Sequence, residues 1–348
     1  MSLKYNQITR IKVFGVGGAG CNAVNRMVEE GMQGAEFFVV NTDLQVLDDS
    51  VCSNKILIGP TICRGYGAGS DPKIGRAAVM ESEAELKEVV KDADMIFVAA
   101  GMGGGTGTAA APFISRLAKE AGALTVGIVT KPFDWEGIKR MRVALGGIEE
   151  MKEYVDALIV ISNSKLSETI GEIPLVDSFK EADNILRQGI QTITDLIAVR
   201  ATINLDFADV RSVMQGQGSA LIGIGIANGE NKAIEAAKQA LNSPLLEASI
   251  EGAKKAIVNI TGGKGMTLNE YKRAVNYITE AAGSDMELIA GLATNDRLGE
   301  NIIVTVIATG FGDNKATTNS TAAPQIETQV EVETAEEPDV PVWFRDRN

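Results

Sequence analysis

Short apolar runs alternate with longer amphipathic stretches through the first half of the chain. The runs at residues 11–14, 37–41, 95–100, 125–130 and 157–162 have the length of buried strands, and helical patterns separate them. Buried strands that alternate with helices predict an α/β fold built on a mostly parallel, doubly wound sheet. Ligands of such sheets lie beyond the carboxyl ends of the strands.

A long helix is predicted to follow this first domain. Pro174 precedes a helical pattern that runs from about Leu175 to Ile203. Its apolar positions recur at three- and four-residue spacing and comprise Phe179, Ala182, Ile185, Leu186, Ile190, Ile193 and Ile197. Four later apolar runs predict the strands of a second α/β domain, at residues 219–227, 256–261, 286–293 and 302–309.

The end of the chain has a different composition. Residues 313–338 contain six acidic residues, one lysine and no aromatic residue. Such a segment buries too little apolar surface to offset the entropy of ordering, so we expect a disordered linker. Apolar and aromatic residues return at 339–348, which we interpret as a partner-binding tail. The predicted divisions are a first domain at 1–173, a central helix at 174–203, a C-terminal domain at 204–312, the linker and the tail.

Charge and residue usage argue against several classes of protein. The chain has 348 residues and a net charge of −13, which disfavours binding of nucleic acid or anionic lipid through a broad basic face. No apolar stretch approaches the ~20 residues that span a bilayer. The first residues lack the apolar run of a secretory signal. We therefore expect a cytoplasmic protein without direct membrane insertion.

The chain has no histidine, which removes Ser–His and Cys–His nucleophile pairs and most zinc sites. Cys21, Cys52 and Cys63 form no Cys-x-x-Cys pair. We therefore expect reduced thiols and no protein-bound metal site.

Two glycine-rich loops carry the candidate chemistry. The first glycine loop, residues 15–20, reads Gly-Val-Gly-Gly-Ala-Gly after a predicted strand and before a predicted helix. This is the dinucleotide-binding pattern in its expected setting, and by itself it suggests NAD or FAD. The alternative is a glycine turn without a ligand.

The second glycine loop, residues 100–108, reads Ala-Gly-Met-Gly-Gly-Gly-Thr-Gly-Thr at the end of another predicted strand. Glycine lets backbone N–H groups approach an anion closely, and a helix N-terminus favours negative charge. Two such loops at one edge of a sheet can hold a chain of phosphates from two sides, and Thr106 and Thr108 add hydroxyl donors. A dinucleotide site usually needs only the first loop, and the chain has no G-x-x-x-x-G-K-[ST] run.

The run Gly-Gly-Gly-Thr-Gly-Thr in the second glycine loop closely resembles the tubulin-type signature of the bacterial FtsZ family. The resemblance extends through residues 12–18, 41–43, 131–133 and 204–210 and covers roughly residues 8–312 and the tail. Ala109 and Cys21 depart from the family pattern by adding small side chains beside the glycine loops. The resemblance implies a tubulin/FtsZ-like fold, with a Rossmann-like GTP-binding domain at 1–173 and a GTPase-activating domain at 204–312. It also implies a cytoskeletal GTPase that assembles into head-to-tail filaments at the division site.

The resemblance also implies which residues contact GTP or GDP. They are Gly17, Gly18, Ala19, Gly20, Cys21, Asn22, Gly101, Gly103, Gly104, Gly105, Thr106, Gly107, Thr130, Glu136, Arg140, Asn163, Phe179 and Asp183. Phe179 would pack on the base, and Asp183, four residues along the same helix face, would accept from the N–H groups of guanine. Glu136 would meet the ribose and Arg140 the phosphates.

Local pattern alone leaves plainer readings open for these two pairs. Phe179 could be a core residue, with Asp183 a solvated carboxylate near a helix N-terminus. Glu136 and Arg140 could form an ordinary surface pair at i,i+4.

The candidate catalytic residues Asn204, Asp206 and Asp209 follow the far end of the central helix. A helix of nearly thirty residues is ~40 Å long, so its two ends cannot meet within one molecule. They can meet between two molecules stacked head to tail, which places GTP hydrolysis at the junction between subunits. The alternative, compatible with this role, is that Asp206 caps a following helix with Asp209 in its first turn. Mg²⁺ is expected as a counter-charge on the terminal phosphates.

Two other classes of function compete with this interpretation. A Rossmann oxidoreductase rests on the first glycine loop, but the second loop and the absence of histidine argue against it. A structural polymer or adaptor that does not hydrolyse GTP is disfavoured because Asp206 and Asp209 are present. By resemblance, the tail would dock cell-division adaptors of the membrane through Val340, Pro341, Val342, Trp343 and Phe344, although Val-Trp-Phe departs from the usual pattern.

Overall fold

The apolar runs of the sequence form one sheet. A computed structural model of the protein describes residues 9–170, 174–198, 206–243, 249–283 and 286–311, and within these ranges the sheet has ten strands. The strands are β1 Ile11–Val16, β2 Glu36–Asn41, β3 Asn54–Leu57, β4 Met95–Gly101, β5 Leu124–Lys131, β6 Ala157–Ser162, β7 Gly218–Ala227, β8 Lys255–Gly262, β9 Glu287–Thr294 and β10 Ile302–Thr309. All nine predicted strands are present, with ends that differ from the predicted ones by at most two residues, and β3 was not predicted.

The strand order is β3-β2-β1-β4-β5-β6-β7-β10-β8-β9. The first six strands of this order, β3-β2-β1-β4-β5-β6, are all parallel. This is the strand order of a Rossmann sheet. Strand β7 continues this sheet in parallel with β6, whereas β10 is antiparallel to both β7 and β8. The first half of the chain is therefore doubly wound, as predicted.

Eleven α-helices lie in the described part of the chain. They are α1 Gly17–Glu29, α2 Leu44–Asp48, α3 Pro72–Glu81, α4 Glu83–Val90, α5 Thr106–Glu120, α6 Ile138–Tyr154, α7 Asn163–Ile170, α8 Leu175–Ala198, α9 Phe207–Met214, α10 Lys232–Leu241 and α11 Leu268–Ala282. Short 3₁₀ turns occupy Asp134–Glu136 and Asp296–Leu298. No helix of the described residues is long and apolar enough to cross a membrane.

The central strands are apolar along their whole length because helices cover both faces of the sheet. In β4, Phe97 packs on the side of α1 and α8, while its neighbour Val98 packs on the side of α3 to α6. Both side chains are fully buried. This arrangement explains why β4 shows a continuous apolar run instead of alternation.

Helix α8 is the predicted central helix, and it packs on α1 and β5. Its described bounds are Leu175–Ala198, so the predicted extension to Ile203 lies outside the described residues. The apolar positions Ala182, Ile185, Leu186, Ile190 and Ile193 are buried as the periodicity predicts. Phe179 differs, because it is 40% exposed at the edge of a cleft.

Strand β7 joins the first part of the sheet through Asp156. The Asp156 carboxylate accepts from the backbone N–H of Thr125 at 2.9 Å and of Gly216 at 3.3 Å, and its carbonyl accepts from Gln217 and Gly218. These bonds fix the start of β7 beside β6. The first domain and the C-terminal α/β domain, joined by the central helix, thus share one sheet. The domain boundaries given above stay predictions, and the linker and tail lie outside the described residues.

Candidate functional site

Both glycine loops meet at the carboxyl ends of neighbouring strands. Strand β1 leads into the first glycine loop and β4 into the second, and these two strands pair in register from Ile11 to Val16. The order of the parallel strands places the topological switch point between them. A crevice opens there because the chain leaves the two strands in opposite directions.

The two loops approach each other so closely that a side chain would not fit between them. A Cβ atom on Gly17 would lie 2.9 Å from the backbone nitrogen of Gly107. A Cβ on Gly20 would lie 2.4 Å from the carbonyl oxygen of Ala99. Gly17 also has a φ of +71°, which glycine adopts without strain. Direct steric contact therefore explains why the sequence has glycine at these two positions of the first glycine loop.

Helices α1 and α5 direct their N-termini into this crevice. Neither N-terminus has a side-chain capping hydrogen bond, unlike α2, which Asp43 caps. Uncapped N–H groups and the positive end of a helix dipole together favour a bound anion. The crevice therefore has the chemistry of a phosphate site.

The cleft encloses about 420 Å³, a volume suited to a nucleotide. Most of the predicted contact residues line it, namely Gly17, Gly18, Ala19, Gly101, Gly104, Gly105, Thr106, Gly107, Thr130, Glu136, Arg140, Asn163, Phe179 and Asp183. Four others do not line it, namely Gly20, Cys21, Asn22 and Gly103. Direct ligand contact by these four stays a prediction.

Two of these four residues, Cys21 and Gly103, make contacts within the protein itself. The Cys21 thiol points into the core toward the carbonyl oxygens of Gly15 and Val40, and burial raises its pKa to about 12. The backbone N–H of Gly103 donates to the Thr108 hydroxyl at 2.8 Å, so Thr108 holds the second glycine loop.

A third wall of the cleft was not predicted. It consists of Asn41, Thr42 and Asp43 at the end of β2 and of a third glycine loop at residues 65–70, which reads Gly-Tyr-Gly-Ala-Gly-Ser. Gly65, Gly67 and Gly69 all have positive φ. Their alternation is the one local signal that could have identified this loop.

Thr42 connects the third wall to the second glycine loop. Its hydroxyl lies 2.7 Å from the hydroxyl of Thr106, and both side chains are buried. Its carbonyl oxygen accepts from the backbone N–H of Gly67, and Asp43 forms a β-bridge with Tyr66. Thr42 therefore connects the third glycine loop to the first turn of α5.

Aromatic and polar side chains line the opposite end of the cleft. Phe133 stacks on Trp135 at 5.4 Å, and Phe179 meets both rings edge-on. Asn163, at the start of α7, is buried, and its Oδ1 has no hydrogen-bond partner among the residues that the structure describes. An unpaired buried acceptor costs free energy unless a ligand supplies the donor. Glu136 and Arg140 form the predicted i,i+4 pair at 3.0 Å.

Asp183 is the carboxylate at this end. It is 8% exposed, and burial raises its pKa to about 7, while the nearby Arg26 guanidinium acts in the opposite direction. Phe179 is too exposed for a core residue and Asp183 too buried for a solvated carboxylate, and both line the cleft. Their contacts with a base stay a prediction.

The candidate catalytic residues lie elsewhere. Asp206 and Asp209 form a reciprocal capping box at the N-terminus of α9, with N–H to carboxylate distances of 2.9 and 3.0 Å. Asp206 therefore caps α9, as the sequence analysis allowed. Each of these hydrogen bonds uses only one of the two oxygens of its carboxylate. All described residues that line the cleft fall between Gly17 and Asp183. Asn204 lies outside the described residues.

The doubly wound sheet, the paired glycine loops and the central helix define a tubulin-like nucleotide-binding protein. Two family models match the chain. The model of the Tubulin/FtsZ family GTPase domain matches residues 10–171, and that of the FtsZ family C-terminal domain matches residues 218–312.

Solved structures agree with these matches. An empty FtsZ dimer from M. jannaschii is 40% identical over 91% of this chain and 95% of that chain, with a TM-score of 0.83. A point mutant of M. jannaschii FtsZ is 42% identical over 87% and 91%, again with a TM-score of 0.83. CetZ1 from Haloferax volcanii, a GDP-bound monomer, is 21% identical over 88% and 95%, and its TM-score of 0.76 shows the shared fold. The chain belongs to the FtsZ family, whose members are GTP-binding GTPases that form protofilaments in cell division.

We predict that Asp183→Asn weakens GTP binding by about 10- to 100-fold, since a hydrogen bond to a charged group contributes roughly 1.5–3 kcal/mol. The preference for GTP over ATP should fall as well, because the amide retains only part of the acceptor pattern. Competition binding with both nucleotides measures this. Asp177→Asn is the matched control, because Asp177 lies on the same helix but pairs with Lys180 outside the cleft. Unchanged selectivity in Asp183→Asn would show that Asp183 does not read the base.

Proposed function

We propose that this chain hydrolyses GTP only at the junction between two subunits stacked head to tail. One subunit binds GTP in its cleft, and the next supplies Asp206, Asp209 and Asn204. The observation that carries the proposal is the separation of the two parts of the site. Asp183 lies in the first half of α8, and the 15 residues from it to the last described residue of the helix span ~22 Å at 1.5 Å per residue. Helix α9 follows this far end of α8 in the chain.

The cleft geometry supports a defined orientation for GTP. The phosphates would lie between the first and second glycine loops, at the N-termini of α1 and α5. Ribose would lie near Glu136 and Arg140, and guanine near Phe179, Asp183 and Asn163. Asp183 would accept from the ring N–H and the exocyclic amine, a pair of donors that adenine lacks.

The terminal phosphate would then lie at the third wall, where the neighbouring subunit arrives. Exposed aromatic side chains occur at both ends of the cleft, with Tyr66 88% exposed on the third glycine loop and Trp135 62% exposed beside Phe179. Exposed aromatic side chains around a binding cleft are typical of a surface that a partner covers. A second copy of the chain is the partner that we propose.

Hydrolysis transfers the terminal phosphoryl group of GTP to water and leaves GDP and phosphate. In-line attack requires a positioned water, and the incoming carboxylates would orient it. Loss of the terminal phosphate would remove contacts to Thr106 and, through its bond with Thr42, would alter the support of the third glycine loop. The junction is thereby weakened after hydrolysis.

Mg²⁺ fits this site as a partner of the nucleotide. The described residues contain no cluster of three or more acidic or cysteine side chains able to hold a metal ion. Mg²⁺ commonly binds through substrate phosphates and water with one or two carboxylates, and Asp43 lies on the third wall. The ion would neutralise phosphate charge during hydrolysis.

We also propose a binding role for the tail at residues 339–348. Val340, Pro341, Val342, Trp343 and Phe344 would bind a cell-division adaptor and so recruit cytoplasmic filaments to the division site at the membrane. The support is their apolar and aromatic character after a polar linker.

Asp209→Ala should leave GDP binding by the isolated subunit unchanged and nearly abolish GTP turnover. Mixed with native protein, it should reduce turnover by more than its share, because each altered subunit disables the site of its neighbour. Phosphate release measured against the fraction of altered subunits tests this. Strictly proportional loss would indicate a site complete within one chain.

Two further variants separate catalysis from helix capping in that experiment. Asp209→Asn keeps an oxygen that can cap α9, and it should be as inactive as Asp209→Ala. Glu270→Gln perturbs the equivalent capping box of α11, formed with Thr267, and should retain turnover.

Deletion of residues 339–348 should leave GTPase activity and polymer formation within about twofold of native, because a short linear motif binds independently of the folded body. Adaptor binding and membrane recruitment should be lost. Sedimentation of polymers and localisation in cells that lack the full-length protein test the two parts. Normal localisation of the shortened chain would refute the role of the tail.

A further inference from the structure

Arg26 is a charged side chain beside the cleft that the site has not yet used. It lies in the last turn of α1, and its Nε is 3.8 Å from Oδ2 of Asp183 on α8. Both side chains are mostly buried, with 29% and 12% of their surfaces exposed. At this distance the pair is an ion pair without a hydrogen bond, so Arg26 leaves the lone pairs of Asp183 to other donors.

Asp183 needs such a partner because burial favours its neutral form. Burial raises its pKa to about 7, with Arg26 lowering it. A neutral carboxyl group is itself a donor and accepts poorly from two N–H groups. The buried carboxylate therefore keeps its acceptor function near neutral pH only with a positive charge close to it.

The described cations of α8, and Arg140 across the cleft, pair with other carboxylates. On α8, Arg187 pairs with Glu30 at 3.0 Å, and Lys180 pairs with Asp177. Across the cleft, Arg140 pairs with Glu136. Arg26 is the cation whose field acts on Asp183.

We propose that Arg26 is a positioning residue for base recognition: it keeps the Asp183 carboxylate ionised and available to accept from guanine. This inference rests on the proposed role of Asp183 in reading the base. It assigns to α1, whose N-terminus borders the phosphates, a second function at the opposite end of the nucleotide.

Calorimetric titration with GDP between about pH 6 and pH 8.5 tests the inference without hydrolysis or polymerisation. In the native protein, GDP affinity should fall as pH decreases through about 7, because protonated Asp183 no longer accepts. Arg26→Gln should move this midpoint upward by about one pH unit, which weakens binding about fivefold at pH 7. Arg26→Lys keeps the charge and should remain close to native.

Two controls make the result specific. Arg187→Gln removes the ion pair between α8 and Glu30, the residue that follows α1, and should keep the native pH profile. The phosphates of GDP titrate identically in every experiment, so differences between the curves report the protein. Circular dichroism confirms that each variant is folded.

A native pH profile in folded Arg26→Gln would overturn the inference. If Arg26→Gln does not fold, the native protein is compared with Asp183→Asn. Equal pH dependence of GDP affinity in these two proteins would also overturn the inference. Failure of the proposed guanine contact itself has a different signature, because Asp183→Asn would then keep native selectivity between GTP and ATP.

Discussion

The close approach of two glycine loops is the constraint on which this structure depends. Gly17 and Gly107 come together because β1 and β4 are neighbours in the sheet, and no side chain fits between their backbones. The same approach brings the N-termini of α1 and α5 to one crevice. Two helix dipoles and two sets of backbone N–H groups thus act on one anion, which is why a chain with a net charge of −13 can still bind phosphates.

In the proposed orientation of GTP, the two ends of the cleft have different physical requirements. At the phosphate end, uncapped N–H groups supply positive partial charge without any lysine of a P-loop. At the base end, a carboxylate is buried beside aromatic rings, and its charge must be maintained against desolvation. Helix α1 borders both ends, through Gly17 at one and Arg26 at the other.

Much of this arrangement could be predicted from local sequence. The strands are continuous apolar runs because helices cover both faces, and the glycine spacing reflects direct steric contact at Gly17 and Gly20. Asp206 and Asp209 were identified both as a helix cap and as candidate catalytic residues, and the capping box is present.

The unpredicted features depend on contacts that are distant in sequence. Strand β3 is four residues long at the edge of the sheet, which is too short for a clear pattern. The third glycine loop has its place because Gly67 donates to the carbonyl of Thr42, 25 residues earlier, and no local periodicity encodes that bond. The ion pair of Arg26 and Asp183 likewise joins helices far apart in the chain.

Complementation between two inactive variants would show whether one subunit completes the GTPase site of another. Gly104→Asp should block GTP binding without disturbing the fold, because nothing lies within 4 Å of the added Cβ and the new carboxylate repels phosphate. Asp209→Asn keeps the cleft but removes the carboxylate that the neighbour needs. Each variant alone should be inactive, and an equimolar mixture should release phosphate. A mixture that forms common polymers yet stays inactive would show that the neighbouring subunit does not complete the site.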